Sequence, residues 1–331
     1  MQFQKIYYEP GTEEYPLGKS LLGKYRGIPK IPIESHNHIP ELRARPNADF
    51  GRLKQYLILG TRKTHRYVPN RKVSDFLVPF TSSGCTAMCL YCYLVCNYNT
   101  CSYLRVFVNR EQMMEKLLRK SQATERECVF EIGSNSDLIL ENEVTGNLPW
   151  VVERFAECGR GFLTFPTKFS GVEPLLGLRH GGRTIVRVSM NPERIIRTVE
   201  LGTASLAGRI QAVNRLAQAG YPVGILIAPV ILTERFCEEY GDLIEHLREA
   251  LCSEARRSLF FEVIFMTYSF IHRAINEEAF PRAPQLYDPS RMTGRGRGKY
   301  AYRPEEKEPA ERFLREKLRH AFPEAKIVYV V

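Results

Sequence analysis

Cys85, Cys89 and Cys92 lie in the stretch 81–97, TSSGCTAMCLYCYLVCN, with C-x3-C-x2-C spacing. Three neighbouring thiolates are soft ligands that select zinc or iron–sulfur clusters over hard cations. Zinc prefers four ligands, often as C-x2-C pairs, and no second pair occurs in the chain. A cubic 4Fe–4S cluster can take three thiolates on three irons and leave the fourth iron open. Familiar four-cysteine sites supply all of their own ligands. An aromatic residue, Tyr91, stands immediately before the third cysteine. The expectation is a 4Fe–4S cluster on Cys85, Cys89 and Cys92, with one iron left for a small molecule.

Elements around this loop must hold it in place. Residues 76–80 form a short apolar run that leads straight into it. Further apolar runs, read as strands, cover 128–132, 161–165, 184–188, 223–232 and 259–265. Between them the apolar residues recur at helical spacing over 111–120, 148–158, 205–219 and 234–251. Gly220 ends the third of these helices as a C′ residue. Alternation of this kind builds βα units and a parallel sheet. Six units predict an α/β fold, a partial (β/α)6 barrel of TIM type. Chemistry in such barrels sits in the loops after the strands, and the cysteine loop follows the first strand.

Residues 1–72 are rich in Pro, Tyr and basic side chains with weak periodicity. They read as an extended N-terminal segment packed on the barrel rather than a separate core, with a short strand at 56–60. The barrel core is placed at 73–290. His36 and His38, with Glu34 beside them, form only a weak metal-ligand set. Residues 291–331 form the last unit, a hairpin followed by a helix over 305–321 and a strand over 326–330. The hairpin run, RMTGRGRGKYAYR at 291–303, interleaves glycines, cations and aromatics. Charge for phosphate and rings for stacking suit a nucleic-acid clamp, so Arg295, Arg297, Lys299 and Tyr300 are the candidate DNA contacts.

The chain has 331 residues, 44% of them apolar, and 47 Lys and Arg against 37 Asp and Glu give a formal charge of +10. That excess favours a polyanionic partner. No apolar run spans a membrane, and the N-terminus lacks a signal-peptide pattern. Nine cysteines in a chain this long suit metal binding in a reducing compartment better than a disulfide framework. A cytoplasmic monomer is expected.

The cysteine loop, with its aromatic before the third cysteine, resembles the radical S-adenosylmethionine (SAM) superfamily. Further residues narrow the resemblance to the spore photoproduct lyase family: Tyr93, Ser136-Asp137, Thr167-Lys168, the run RVSMNP at 187–192, AGYPVG at 219–224, Ala228-Pro229 and Gly298-Lys299-Tyr300. The resemblance covers about 75–303. It implies a carbon–carbon lyase that reverses the UV-induced spore photoproduct (5-thyminyl-5,6-dihydrothymine) to two thymines. The cofactors it implies are the 4Fe–4S cluster and S-adenosyl-L-methionine, reduced by a flavodoxin or ferredoxin. It also implies that Ser136, Lys168, Ser189 and Ala228 contact SAM, with the stretch 224–229 passing the adenine and Ile225 and Ile227 as packing. Tyr91 and Tyr93 match the tyrosines that return the radical.

One position departs from the family pattern. Many members carry a hydrogen-donating cysteine two residues before the Ser-Asp pair, where this chain has Ser134. An O–H bond is far stronger than S–H, so serine cannot feed hydrogen to a carbon radical. Cys96 is the expected replacement donor, with Cys101 next. Two other readings fit the same residues: a different radical SAM enzyme acting on nucleic acid or protein, and a non-catalytic iron–sulfur DNA-binding protein.

Overall fold

A computed structural model describes residues 2–97 and 103–331. Its first strands are β1 (Lys5–Tyr8), β2 (Lys30–Pro32) and β3 (Tyr56–Gly60). After β4 (Val68–Pro69) and β5 (Phe76–Leu77) come β6 (Ser82–Ser83), β7 (Met88–Cys89) and β8 (Leu104–Phe107). The strands β2-β1-β3-β8-β6 form a five-stranded sheet, parallel except at its β8–β6 edge. This corrects the expectation of an extended segment over 1–72. Ile6, Leu57, Leu59, Leu104 and Val106 pack into one cluster with Leu17 and Leu21, while Tyr7, Tyr56 and Ile58 pack into another. Alternate residues thus bury opposite faces, so the strands show no polar face and are too short to register a period.

The barrel sheet continues with β9 (Val129–Glu131), β10 (Phe162–Thr167) and β11 (Thr184–Met190). A short β12 (Glu200–Leu201) precedes β13 (Val223–Val230) and β14 (Phe260–Phe265). The remaining strands are β15 (Thr267–Ser269), β16 (Met292–Gly294), β17 (Lys299–Tyr302) and β18 (Lys326–Val330). The barrel order is β18-β14-β13-β11-β10-β9-β5-β4, parallel throughout except at the β4 edge. All six expected strands are there, and the terminal strand adds a seventh parallel one. The sheet curls into an open half barrel.

The connecting helices follow their sequence signals. Helix Leu206–Gln218 starts at Ser205, whose hydroxyl accepts from the Gly208 amide at 3.2 Å. It buries Leu206, Ile210, Val213 and Leu216 and is followed by Gly220 at φ +89°. Such an N-cap contributes about 1 kcal/mol. Among the described residues no helix is long and apolar enough to cross a membrane.

Candidate active site

Parallel strands place all their carboxyl ends on one face. A cavity of about 300 Å³ opens there, lined by Gly133, Ser134, Ser136 and Asp137 after β9 and by Pro166 to Phe169 at the end of β10. Ser189, Leu226, Ala228, Pro229 and residues 264–267 complete the wall on the other strands. Cys85, Cys89 and Cys92 line the same cavity with Tyr91 and Tyr93.

The cysteine loop is tied down at four points. Gly84, at φ +80°, donates its amide to the Asn135 carbonyl at 2.7 Å. Lys54 of the N-terminal layer, buried at 3% exposure, donates to the Cys85 carbonyl at 2.8 Å. β7 pairs with β12 so that Cys89 faces Glu200. On the far side, His272 Nε2 donates to the Cys92 carbonyl at 3.1 Å.

Burial pushes the Cys85 thiol up to about 12 and the Cys89 thiol well above its ordinary range. A buried thiolate needs a cation to offset its desolvation, and a metal centre supplies one while releasing the proton. Among the described residues no three His, Cys, Asp or Glu side chains converge at single-ion spacing. The carboxylate lining the cavity is Asp137, and its oxygens already accept from Ile139 N (3.1 Å), Leu140 N (3.3 Å), Lys168 N (2.9 Å) and Thr167 Oγ1 (2.8 Å). The donor set left for a metal group is therefore three sulfurs, which fits a 4Fe–4S cluster with one open iron.

Lys168, Ser189 and Ala228 come together on adjacent strands. Lys168 Nζ lies 2.5 Å from Ser189 Oγ and 2.8 Å from the Ala228 carbonyl, to which the Ser189 hydroxyl also donates at 2.8 Å. An ammonium and a hydroxyl on a cavity wall suit a carboxylate and a ribose. Ser136 Oγ stands 2.7 Å from Ser82 Oγ, which in turn reaches Glu141 Oε2 at 2.7 Å. In the stretch 224–229, Leu226, Ala228 and Pro229 face the cavity. Ile225 and Ile227 are fully buried in the main core, as strand alternation requires.

Sequence reasoning missed the residue beneath this cluster. Glu200, with 0% side-chain exposure, contacts Arg209 at 2.6 Å, Lys168 at 3.3 Å and Asn191 at 2.9 Å, and accepts from the Tyr91 hydroxyl. Burial alone would raise its carboxyl, but Lys168 and Arg209 outweigh burial and hold it down at about 2. A signal existed: Glu200 directly follows a short helix that buries Ile195, Ile196 and Val199, and Arg209 falls on the buried face of its helix between Leu206 and Val213.

Tyr93 is half exposed, lines the cavity and donates its hydroxyl to the Ser134 carbonyl. Ser134 also lines the cavity. Cys96 does not. Its sulfur lies 3.3 Å from Ser269 Oγ and 3.6 Å from His272 Nε2, packed against the Tyr7–Ile58 cluster. Cys101 lies outside the described residues. His36 is engaged by Glu9, whose Oε1 is 2.7 Å from Nδ1.

The hairpin forms from β16 and β17, and β15 joins it as a third antiparallel strand. Thr267 of β15 lines the cavity and pairs with Ala301, so the hairpin is built onto the cavity mouth. Its turn uses Gly296, Arg297 and Gly298, all at positive φ. Arg295, Arg297 and Lys299 are exposed, while Tyr300 is half-buried against Tyr287 and Phe270.

Comparison with known proteins agrees over the whole chain. The family model for spore photoproduct lyase matches residues 1–331. Spore photoproduct lyase of Bacillus subtilis (strain 168) is 32% identical over 334 residues, covering 98% of this chain and 97% of the relative. That of Geobacillus sp. (strain Y412MC61) is 29% identical, covering 98% and 97%. A solved spore photoproduct lyase variant with bound AdoMet and dinucleoside spore photoproduct superposes with a TM-score of 0.91 at 29% identity, covering 99% of each chain.

Proposed function

The chain belongs to the spore photoproduct lyase family, and from that premise we propose how its own residues carry out the repair. It is a radical SAM lyase that reverses the spore photoproduct. The convergence of Cys85, Cys89 and Cys92 with Lys168, Ser189 and Ala228 on one cavity carries the reading.

Cys85, Cys89 and Cys92 hold the cluster as thiolates, and Lys54 braces the loop through the Cys85 carbonyl. Lys168 holds the carboxylate of SAM, and Ser136 and Ser189 hold its polar groups. The wall at Leu226–Pro229 packs the adenine. When bound, these cofactors would supply a 5′-deoxyadenosyl radical, the hydrogen-abstracting agent that cleavage of the lesion's bridging carbon–carbon bond requires. Tyr91, anchored on Glu200, and Tyr93, anchored on the Ser134 carbonyl, would carry the radical back, a tyrosyl radical taking a hydrogen from 5′-deoxyadenosine so that SAM can re-form. Closing the cavity with Phe169, Phe265 and Met266 keeps water away from the radical.

Cys96 is the thiol that gives its hydrogen to the thymine radical, for which its sulfur must turn from Ser269 and His272 into the cavity. Tyr93 is the second candidate, favoured by its place on the cavity wall. Arg295, Arg297, Lys299 and Tyr300 grip the damaged strand, and a flavodoxin or ferredoxin in the cytoplasm supplies the electron. The test is anaerobic reconstitution, reduction and assay with SAM and a spore-photoproduct dinucleotide. Two thymines per lesion support the reading. A methylated product, or no SAM cleavage by reduced protein, overturns it.

A further inference from the structure

We propose that Phe270, with Ile271 beside it, is a wedge that enters the base stack and fills the space left when the cross-linked thymines are drawn into the cavity. The proposal rests on the reading that this chain repairs DNA.

Five described large apolar side chains are exposed: Val68, Tyr93, Phe270, Ile271 and Val331. Three of them lie on segments that also line the cavity. Tyr93 lines the cavity itself, and Phe270 and Ile271 directly follow β15, whose Thr267 also lines it. Phe270 is the most exposed of the five, at 55%.

This ring is not a loose surface residue. Its centroid lies 5.2 Å from that of Tyr300, edge to face; Tyr300 lies 4.8 Å from Tyr287, and Tyr287 lies 6.5 Å from Tyr268. Tyr268 is buried at 3% exposure, so a ladder of rings runs from the core out to Phe270. The backbone is fixed as well, because the Phe270 amide donates to the Gly298 carbonyl at 3.3 Å. The ring also rests on Gly298, where a Cβ would come within 3.1 Å of Phe270 Cδ2. A rigid, solvent-facing ring beside a substrate cavity meets the demand on an intercalating wedge, which must not fold away when it meets stacked bases.

Charge and reach agree. Lys299 pairs with Ser269, next to Phe270, and Arg295 and Arg297 lie in the adjoining hairpin turn; all three are exposed cations. Phe270 lies three residue steps beyond Thr267, about 10 Å at a strand's rise. Removing two stacked bases opens a gap of about 7 Å at 3.4 Å per base. A ring at that reach enters the vacated stack while the dinucleotide occupies the cavity.

The experiment compares Phe270→Ala and Phe270→Leu with the unsubstituted protein on lesion-containing duplex and on the isolated dinucleotide. A fluorescent 2-aminopurine opposite the lesion reports unstacking on binding and needs no catalysis. Phe270→Ala should lose most of the fluorescence rise and about tenfold or more of duplex repair, since unstacking a step costs a few kcal/mol and 1.4 kcal/mol is tenfold. Dinucleotide repair should stay within about twofold, because nothing there needs unstacking. Phe270→Leu, still an apolar wedge, should keep most of both signals. Parallel losses on duplex and dinucleotide would show that Phe270 serves only to pack the hairpin, and an undiminished fluorescence rise in Phe270→Ala would also overturn the wedge. If the unsubstituted protein repairs neither substrate, the function reading fails, and the fluorescence still decides whether Phe270 opens the duplex.

Discussion

Glu200→Gln should destabilise the fold by about 3 kcal/mol at neutral pH, and two routes lead to that figure. The first is linkage. The Glu200 carboxyl is held at about 2 against an ordinary 4.5, and at about 1.4 kcal/mol per pKa unit this difference is about 3 kcal/mol. The second is the cost of orphaning a partner. Arg209 and Glu200 both have 0% side-chain exposure, and removing one member of a buried pair typically costs about 3–5 kcal/mol. Glutamine keeps the volume but turns an amide donor toward Arg209, Lys168 or Asn191. The sign is that of a depressed acid. Its stabilisation is fully present above pH 4.5 and is lost as pH falls toward 2. Urea unfolding followed by circular dichroism at pH 7, 4.5 and 3 checks this, and the gap between the proteins should narrow across the series. A Glu200→Gln/Arg209→Met double variant should lose less than the sum of the single changes, because the buried Arg209 charge is then no longer left without its carboxylate. A Glu200→Gln protein within about 1 kcal/mol of the parent at pH 7, or a gap that does not change with pH, would refute the reasoning.

Three further outcomes can be checked directly. Cys96→Ala should still load the cluster and cleave SAM, while dithionite adducts replace most of the two-thymine product. Ser134→Cys in that background should restore part of the clean repair, because Ser134 lines the cavity, whereas clean repair by Cys96→Ala alone would move the donor role to Tyr93. Changing Arg295, Arg297 and Lys299 together to Ala should flatten the salt dependence of DNA binding by up to about one unit of slope per lost phosphate contact and spare dinucleotide repair; equal loss on both substrates would assign the hairpin to folding. Gly161→Ala should lower stability by at least about 2 kcal/mol, measured by urea midpoint. Gly161 sits at φ +87°, and an added Cβ would lie 2.2 Å from the backbone oxygen of Cys128, which cannot move aside.

Local chemistry and period were legible in the sequence. The Cys85–Cys92 spacing needs only eight residues to state its ligand set, and helix Leu206–Gln218 announces itself through Ser205, its apolar stripe and Gly220. The hairpin was readable because glycines at 294, 296 and 298 leave few other conformations for that run. Tertiary structure decided what depends on convergence. Tyr91 and Glu200 stand 109 residues apart and meet only because β7 pairs with β12. The N-terminal sheet was hidden because strands buried on both faces carry no alternation, and its last two members, β6 and β8, come from beyond residue 80. Cys96 shows the same limit most sharply. Its distance along the chain from Cys92 said that it was near the cluster, but a single helical turn was enough to aim its sulfur at Ser269 and His272 instead of the cavity. Spacing along a chain sets what is near; only the packed backbone sets which way a side chain points.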